Sequence, residues 1–281
     1  MHIPVLTKEI IEYLNPRRGK NYIDATLDGG GHSREILKRT VPTGKVIGIE
    51  WDEAIVREIK KEKIPRLIII NDSYVNMARI TQKINIKNIH GVLFDFGLSS
   101  WHFERSGRGF SFQKDEVLDM RYSHTAGDTA AEIVNMYSGD RLARIFKDFG
   151  EEPRARQFAE RIVNARKRAR ILTTFDLLRA LGLVKNHAKI HPATKIFQAL
   201  RIAANNELEN VERGLRAAMG IVMPGGRVAA TSFHSLEDRI VKNMFRAHGK
   251  VVTKKPVVAS HAEIVANPRA RSARLRIWEN V

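Results

Sequence analysis

The residues of this chain best equipped for chemistry fall at the ends of short apolar runs. Asp28-Gly29-Gly30-Gly31-His32-Ser33 follows the run 21–27 and opens a helical stretch. Glycines at such a turn let a ligand approach the backbone and aim the first helix amides at it. A purely structural tight turn would use the same glycines, so the run gains meaning only from its company. Glu50 ends the second apolar run, about 20 residues on, where an acid accepts hydrogen bonds from a pair of ribose hydroxyls. Asp95 ends a fourth apolar run and adds a polar group to the same edge. Three such features at successive strand ends point to a nucleoside cofactor.

The spacing narrows which one. The G-x-G-x-x-G run of dinucleotide enzymes is absent, as is the phosphate-cradling G-x-x-x-x-G-K-[ST]. A glycine turn among acids, with no basic residue for a pyrophosphate, suits S-adenosylmethionine, whose sulfonium is cationic. Tyr74, just after the third apolar run, is placed either to flank an adenine or to pack in the core.

The elements that must position these groups are legible as alternation. Strands are expected at 21–27, 45–51, 66–70 and 91–96, with helices at 33–39, 53–63 and 75–84 between them. Short, nearly continuous apolar runs separated by helices mark a parallel sheet covered on both faces. Right-handed crossovers make it doubly wound. From about residue 100 the pattern gives way to helices at 129–137, 140–149, 152–170 and 174–181, an inserted helical domain. One long helix is expected over 197–219, then a fifth strand at 226–233 and closing strands at 251–258 and 272–278.

Composition adds two constraints. The 48 Lys and Arg outnumber the 31 Asp and Glu, a net charge of +17 at pH 7. So large an excess favours a polyanionic partner. There are no cysteines, which excludes disulfides, thiolate metal sites and a cysteine nucleophile. No run approaches the roughly 20 apolar residues of a membrane span. The first residues lack the pattern of a signal peptide, so a soluble, cytoplasmic protein is expected.

Other groups read less chemically. His234 and Ser235 lie close after the fifth strand, but no G-x-S-x-G elbow accompanies them. His187 and His191 are spaced i,i+4 without an evident third ligand, so no metal is expected. Residues 153–170 hold Arg154, Arg156, Arg161, Arg166, Lys167, Arg168 and Arg170, and the tail holds Arg269, Arg271, Arg274 and Arg276. A single arginine is most simply a solvated helix face. Collectively, arginines suit phosphate contacts and base stacking.

Ordered blocks along nearly the whole chain carry a resemblance. They include Asp24-Ala25-Thr26-Leu27 with Gly29-Gly30-Gly31-His32-Ser33, Asp95-Phe96-Gly97-Leu98-Ser99-Ser100, Arg108-Gly109-Phe110-Ser111-Phe112 and Leu118-Asp119-Met120-Arg121. Further blocks are His191-Pro192-Ala193-Thr194, Phe197-Gln198-Ala199-Leu200-Arg201, Ser232-Phe233-His234-Ser235-Leu236-Glu237-Asp238 and Asn267-Pro268-Arg269-Ala270-Arg271. With these the chain resembles the bacterial ribosomal RNA small subunit methyltransferase H family, which methylates the 4-amino group of a cytidine in 16S ribosomal RNA.

The resemblance implies a Rossmann-like class I methyltransferase sheet over 1–102 and 197–281, with an inserted, RNA-binding helical domain over 103–196. It implies S-adenosylmethionine contacts at Gly30, Gly31, His32, Glu50, Tyr74, Asp95 and His102. Glu50 stands where aspartate is usual, Tyr74 where phenylalanine is, and His102 where glutamine is. The partner implied is the small ribosomal subunit, read at an unpaired or flipped cytidine. Asp95 and Asp119 are the candidate proton acceptors, and Arg108, Arg121, Arg166, Arg168, Arg269 and Arg271 the candidate RNA contacts. The oligomeric state stays open, a homodimer included. A nicotinamide-dependent oxidoreductase and a non-catalytic RNA-binding module are the alternatives. The absence of cysteine argues against methylation at ring carbon 5, which normally needs a thiol nucleophile.

Overall fold

The computed structural model of the chain describes residues 4–124, 127–183 and 191–281. It forms two compact units, one of Met1–Gly97 with Leu208–Val281, the other Leu98–Glu207. The first unit contains the strands β1 (Asn21–Asp24), β2 (Val46–Glu50), β3 (Leu67–Asn71), β4 (Ile89–Asp95), β5 (Val222–Ser232), β6 (Lys250–Val251) and β7 (Arg274–Glu279). They lie in the order β3-β2-β1-β4-β5-β7-β6. β1 to β5 pair in parallel, while β7 is antiparallel to both β5 and β6.

Both faces of this sheet are covered, and the strand sequences show why. In β4, Val92 and Phe94 pack into one apolar cluster, whereas Leu93 points into another. Period-two alternation with apolar residues on both sides produces the unbroken runs seen in the sequence. The helices α1 (Thr7–Leu14), α2 (Gly31–Arg39), α3 (Glu53–Lys61) and α4 (Met77–Lys83) accompany β1 to β4. Strand order reverses between β1 and β4, so the crevice outside their carboxyl ends is the switch point where ligands bind. This is the Rossmann-like, doubly wound sheet expected from the sequence.

The second unit carries α5 (Ser100–Glu104), α6 (Ala130–Met136), α7 (Gly139–Asp148), α8 (Ala155–Arg166), α9 (Thr174–Leu181) and α10 (Ala193–Asn205). Its own core gathers Phe110, Leu118, Ile133, Phe146, Phe158 and Leu200. The chain then returns through α11 (Glu207–Ile221), α12 (Ser235–Ala247) and α13 (His261–Ala266).

Two expectations are corrected. The single helix over 197–219 is two helices, α10 and α11, broken at Asn206 with φ +49°. The Asn205 side chain explains the break: it accepts from the Tyr122 N–H and donates to the Met120 and Arg201 carbonyls. Asparagine tolerates the left-handed conformation that follows. The strand expected at 251–258 shrinks to β6 and one bridge between Val257 and Leu275. Between them the Thr253 hydroxyl, not a strand carbonyl, accepts the Ile277 N–H, and Pro256 has no N–H to donate. No helix among the described residues is long and apolar enough to cross a membrane.

Candidate cofactor site

The glycine turn is built onto the ends of two strands. Beyond β1, Ala25 still donates to the Leu93 carbonyl and Leu27 to that of Ile49, at 2.8 and 3.0 Å. The Gly30 N–H then closes the turn on the Leu27 carbonyl at 2.7 Å. Gly30 has φ +70° and Asp28 φ +41°, a region where glycine is unstrained and aspartate more tolerant than most. At Gly31 a side chain would come within 2.7 Å of the Pro4 ring. That glycine is therefore required by packing before any ligand is considered.

Glu50 fastens the turn from the neighbouring strand. Its Oε2 accepts the Asp28 N–H at 3.0 Å and its Oε1 the Asp52 N–H at 2.8 Å. Burial pushes the carboxyl up to about 8, against those two hydrogen bonds, which lower it. Each oxygen retains a second lone pair, enough to accept a ribose hydroxyl pair.

A tighter cluster lies at the ends of β1 and β4. Asp24 is 1% exposed; its Oδ2 accepts the Ser33 hydroxyl at 2.7 Å, while Oδ1 makes no hydrogen bond. Burial pushes Asp24 up to about 6. His32, in the first turn of α2, sets its Nε2 3.5 Å from Asp95 Oδ2, a charge contact rather than a hydrogen bond. Burial alone would lower the imidazole, but Asp95, with Asp24 and Asp28, outweighs it and raises the pKa. Asp95 is held by its backbone N–H on the Thr26 hydroxyl at 2.7 Å, leaving Oδ1 without a hydrogen bond. Buried carboxylate oxygens left unmatched favour a ligand that brings donors or positive charge. An S-adenosyl group, with its cations and ribose, suits this donor set. Asp24 escaped the sequence reading because an acid inside an apolar run shows neither burial nor partner.

The model of the MraW methylase family matches residues 1–281. The chain belongs to that family. Among its relatives, a ribosomal RNA small subunit methyltransferase H from Dictyoglomus thermophilum is 44% identical over 99% of this chain and 96% of that protein. The proteins of the same name from Thermomicrobium roseum and Geobacter sulfurreducens are 43% and 42% identical, each over 100% of this chain and 94% and 99% of their own. Family membership makes the chain a methyltransferase and sets aside both the oxidoreductase and the idle RNA-binding readings.

The other expected site residues of this MraW-family methylase have well-defined surroundings. Tyr74 packs edge-on against Phe94 and Phe96, with ring centroids at 5.5 and 6.1 Å, so its ring is part of the first unit's core. His102 lies in the second unit. There it completes the capping box of α5 with Ser99 and packs against Phe110 and Tyr122. Asp119, also in the second unit, has both carboxylate oxygens engaged by Arg121. Arg108 donates to the Arg121 and Tyr122 carbonyls.

The basic clusters separate into internal and external members. Arg166 donates to the Val134 and Tyr137 carbonyls at the end of α6, and Arg161 to the Leu181 carbonyl at the end of α9. Arg276 is buried on Asp238 at 2.6 and 3.0 Å. These three are structural. Lys167, Arg168 and Arg170 are exposed, as are Arg269 and Arg271. His234 caps α12, accepting from the Glu237 N–H, and His191 stacks on Phe112. His187 lies outside the described residues.

Proposed function

We propose that this methylase transfers a methyl group from S-adenosylmethionine to the exocyclic N4 amine of a cytidine in the decoding region of 16S ribosomal RNA. The observation that carries this reading is the joining, at the switch point of a methylase-family sheet, of a Glu50-fastened glycine turn to buried acids with unmatched oxygens. The names of the relatives supply the class of RNA, and the absence of cysteine argues for the amine over ring carbon 5.

The cofactor supplies an electrophilic methyl carbon on a cationic sulfur that leaves as a neutral thioether. The N–C bond forms as the S–C bond breaks, and the methylated amine sheds one proton. The cytosine amine is a poor nucleophile because its lone pair is delocalised into the ring. A residue accepting one of its hydrogens weakens that conjugation, and proximity supplies much of the remaining rate. Asp95 suits the acceptor role better than Asp119, since its Oδ1 has no hydrogen bond whereas Asp119 is held at both oxygens. Glu50, Gly30, Gly31, His32 and Tyr74 serve the adenosyl group in this reading.

In this reading the helical unit, Leu98–Glu207, binds RNA through exposed cations such as Arg168, and the exposed Arg269 and Arg271 of the first unit are further candidate RNA contacts. Its site of action is the cytoplasm, where ribosomal subunits mature. The test is direct. Small ribosomal subunits are incubated with the protein and methyl-labelled S-adenosylmethionine, and the digested nucleosides are separated by mass spectrometry. Label is expected in 4-methylcytidine. Label on uridine, adenosine or a ribose hydroxyl would overturn the assignment.

A further inference from the structure

His32 is 6% exposed and faced by acids from three elements. Asp24 comes from the end of β1, Asp28 from the turn and Asp95 from the end of β4, and all three favour its protonated form. On β5, the uncharged Thr231 is the register partner of Asp95, and its hydroxyl makes no hydrogen bond. Arg34, on the same helix as His32, is engaged with the Gly29 carbonyl and Glu62. The His32 Nε2 lies 3.5 Å from Asp95 Oδ2, and the Oδ1 atoms of Asp24 and Asp95 make no hydrogen bond.

A protonated imidazole and a sulfonium drawn to those acids would be two positive charges competing for the same partners. Two like charges in one buried site are disfavoured, and the imidazole is the group able to give up its charge. A thioether brings no such charge. We propose that His32 is the residue that discriminates the sulfonium cofactor from the thioether product: set beside Asp95, it carries a proton in the empty or product-bound site and releases it when the cationic cofactor enters. This rests on the reading that S-adenosylmethionine is the cofactor. The charge balance is complete over a cycle. One proton leaves with cofactor binding, the amine sheds one on methylation, and the imidazole regains one when the sulfur becomes neutral.

Calorimetry in buffers of different ionisation enthalpy counts the protons released by S-adenosylmethionine and by S-adenosylhomocysteine at neutral pH. Both ligands carry the same ribose and amino-acid groups, so any proton given up by Glu50 cancels in the difference. The sulfonium ligand is expected to release up to one proton more. The ratio of the two affinities should then rise with pH, approaching tenfold per unit where one proton is linked, before levelling off. His32→Asn should abolish the difference and make the ratio independent of pH.

Equal proton counts in the native protein, or a difference that survives in His32→Asn, would overturn the proposal. Should that variant fail to fold, imidazole titration of the native protein by NMR decides. One histidine midpoint must fall with the sulfonium ligand and not with the thioether; midpoints that respond alike to both would overturn it. Failure of both ligands to bind would instead sink the cofactor assignment itself.

Discussion

Asp119 and Arg121, two residues apart, grip each other through two prongs, Nε to Oδ1 at 2.7 Å and Nη2 to Oδ2 at 3.2 Å. The Arg121 backbone N–H adds a third contact to Oδ1 at 3.2 Å. The aspartate raises the arginine's pKa, chiefly through the side-chain hydrogen bonding between them. Arg121 in turn donates to the His124 and Gly127 carbonyls, so the pair shapes the loop around it. We expect Asp119→Asn to cost about 1–2 kcal/mol of stability, the scale of one weakened charge-assisted hydrogen bond. Urea unfolding measures this. Single-turnover methylation should fall less than about tenfold; a loss of 10²-fold or more at unchanged stability would return general-base catalysis to Asp119.

Glu50→Ala should weaken S-adenosylmethionine binding by roughly tenfold or more, because it removes the carboxylate proposed to accept the ribose hydroxyls and also frees the Asp28 and Asp52 amides. Glu50→Gln keeps one acceptor oxygen and should recover part of the loss. Calorimetric affinities that match the native protein in both variants would remove Glu50 from the site.

Stability of the ligand-free protein should fall as pH rises. Asp24, pushed up to about 6 from 3.8, and Glu50, pushed up to about 8 from 4.5, both owe their shifts chiefly to burial. A carboxyl with a raised pKa keeps its proton in the native state after the unfolded chain has lost it, so the native state binds more protons across that window. His32, also raised, acts in the same direction, its contribution being lost as pH rises through the native pKa. The melting temperature should decline from the ordinary carboxylate range toward about 8, and Glu50→Gln should flatten the upper part of that decline. A flat or rising profile would contradict the upward shifts that burial gives Asp24 and Glu50.

RNA affinity should depend steeply on salt. Replacing Lys167, Arg168 and Arg170 together by Ala should reduce the slope of log affinity against log salt by up to about 2–3, if each neutralises one phosphate. Cofactor affinity should not change. Arg166→Ala should behave differently, lowering stability through the Val134 and Tyr137 carbonyls it leaves behind. An unaltered slope in the triple variant would move the RNA contact to Arg269 and Arg271.

Arg276→Ala should be the most damaging of these substitutions. Asp238 is buried with it, and removing one partner of a buried pair costs about 3–5 kcal/mol. Arg276 holds Asp238 below the usual carboxylate range against the upward push of burial, with Arg274 assisting. Denaturant unfolding is the measurement. Near-native stability would mean that Arg274, 3.4 Å from the same carboxylate, suffices as its partner.

Much of the candidate site is legible in the sequence. The glycine run, the acid ending the second strand and the acid ending the fourth are local features, set by turn chemistry and period-two burial within a few residues of each position. The helices of the second unit were readable for the same reason: their caps, such as Thr129 with Glu132 and Thr173 with Asp176, lie next to their apolar faces. What the sequence concealed depends on partners far along the chain. Asp24 gains its character from Ser33 and His32 at the start of the next helix and from Asp95, which the parallel pairing of β1 and β4 brings near. Arg166 and Arg276 look like members of basic runs until one meets a helix end 29 residues away and the other a buried aspartate 38 residues away. The break at Asn206 likewise follows from Asn205 reaching the Met120 carbonyl, 85 residues distant. Periodicity reports which face of an element is buried, because that depends on near neighbours. Whether a buried charge is matched, shared or left open to a ligand depends on the tertiary contacts that surround it.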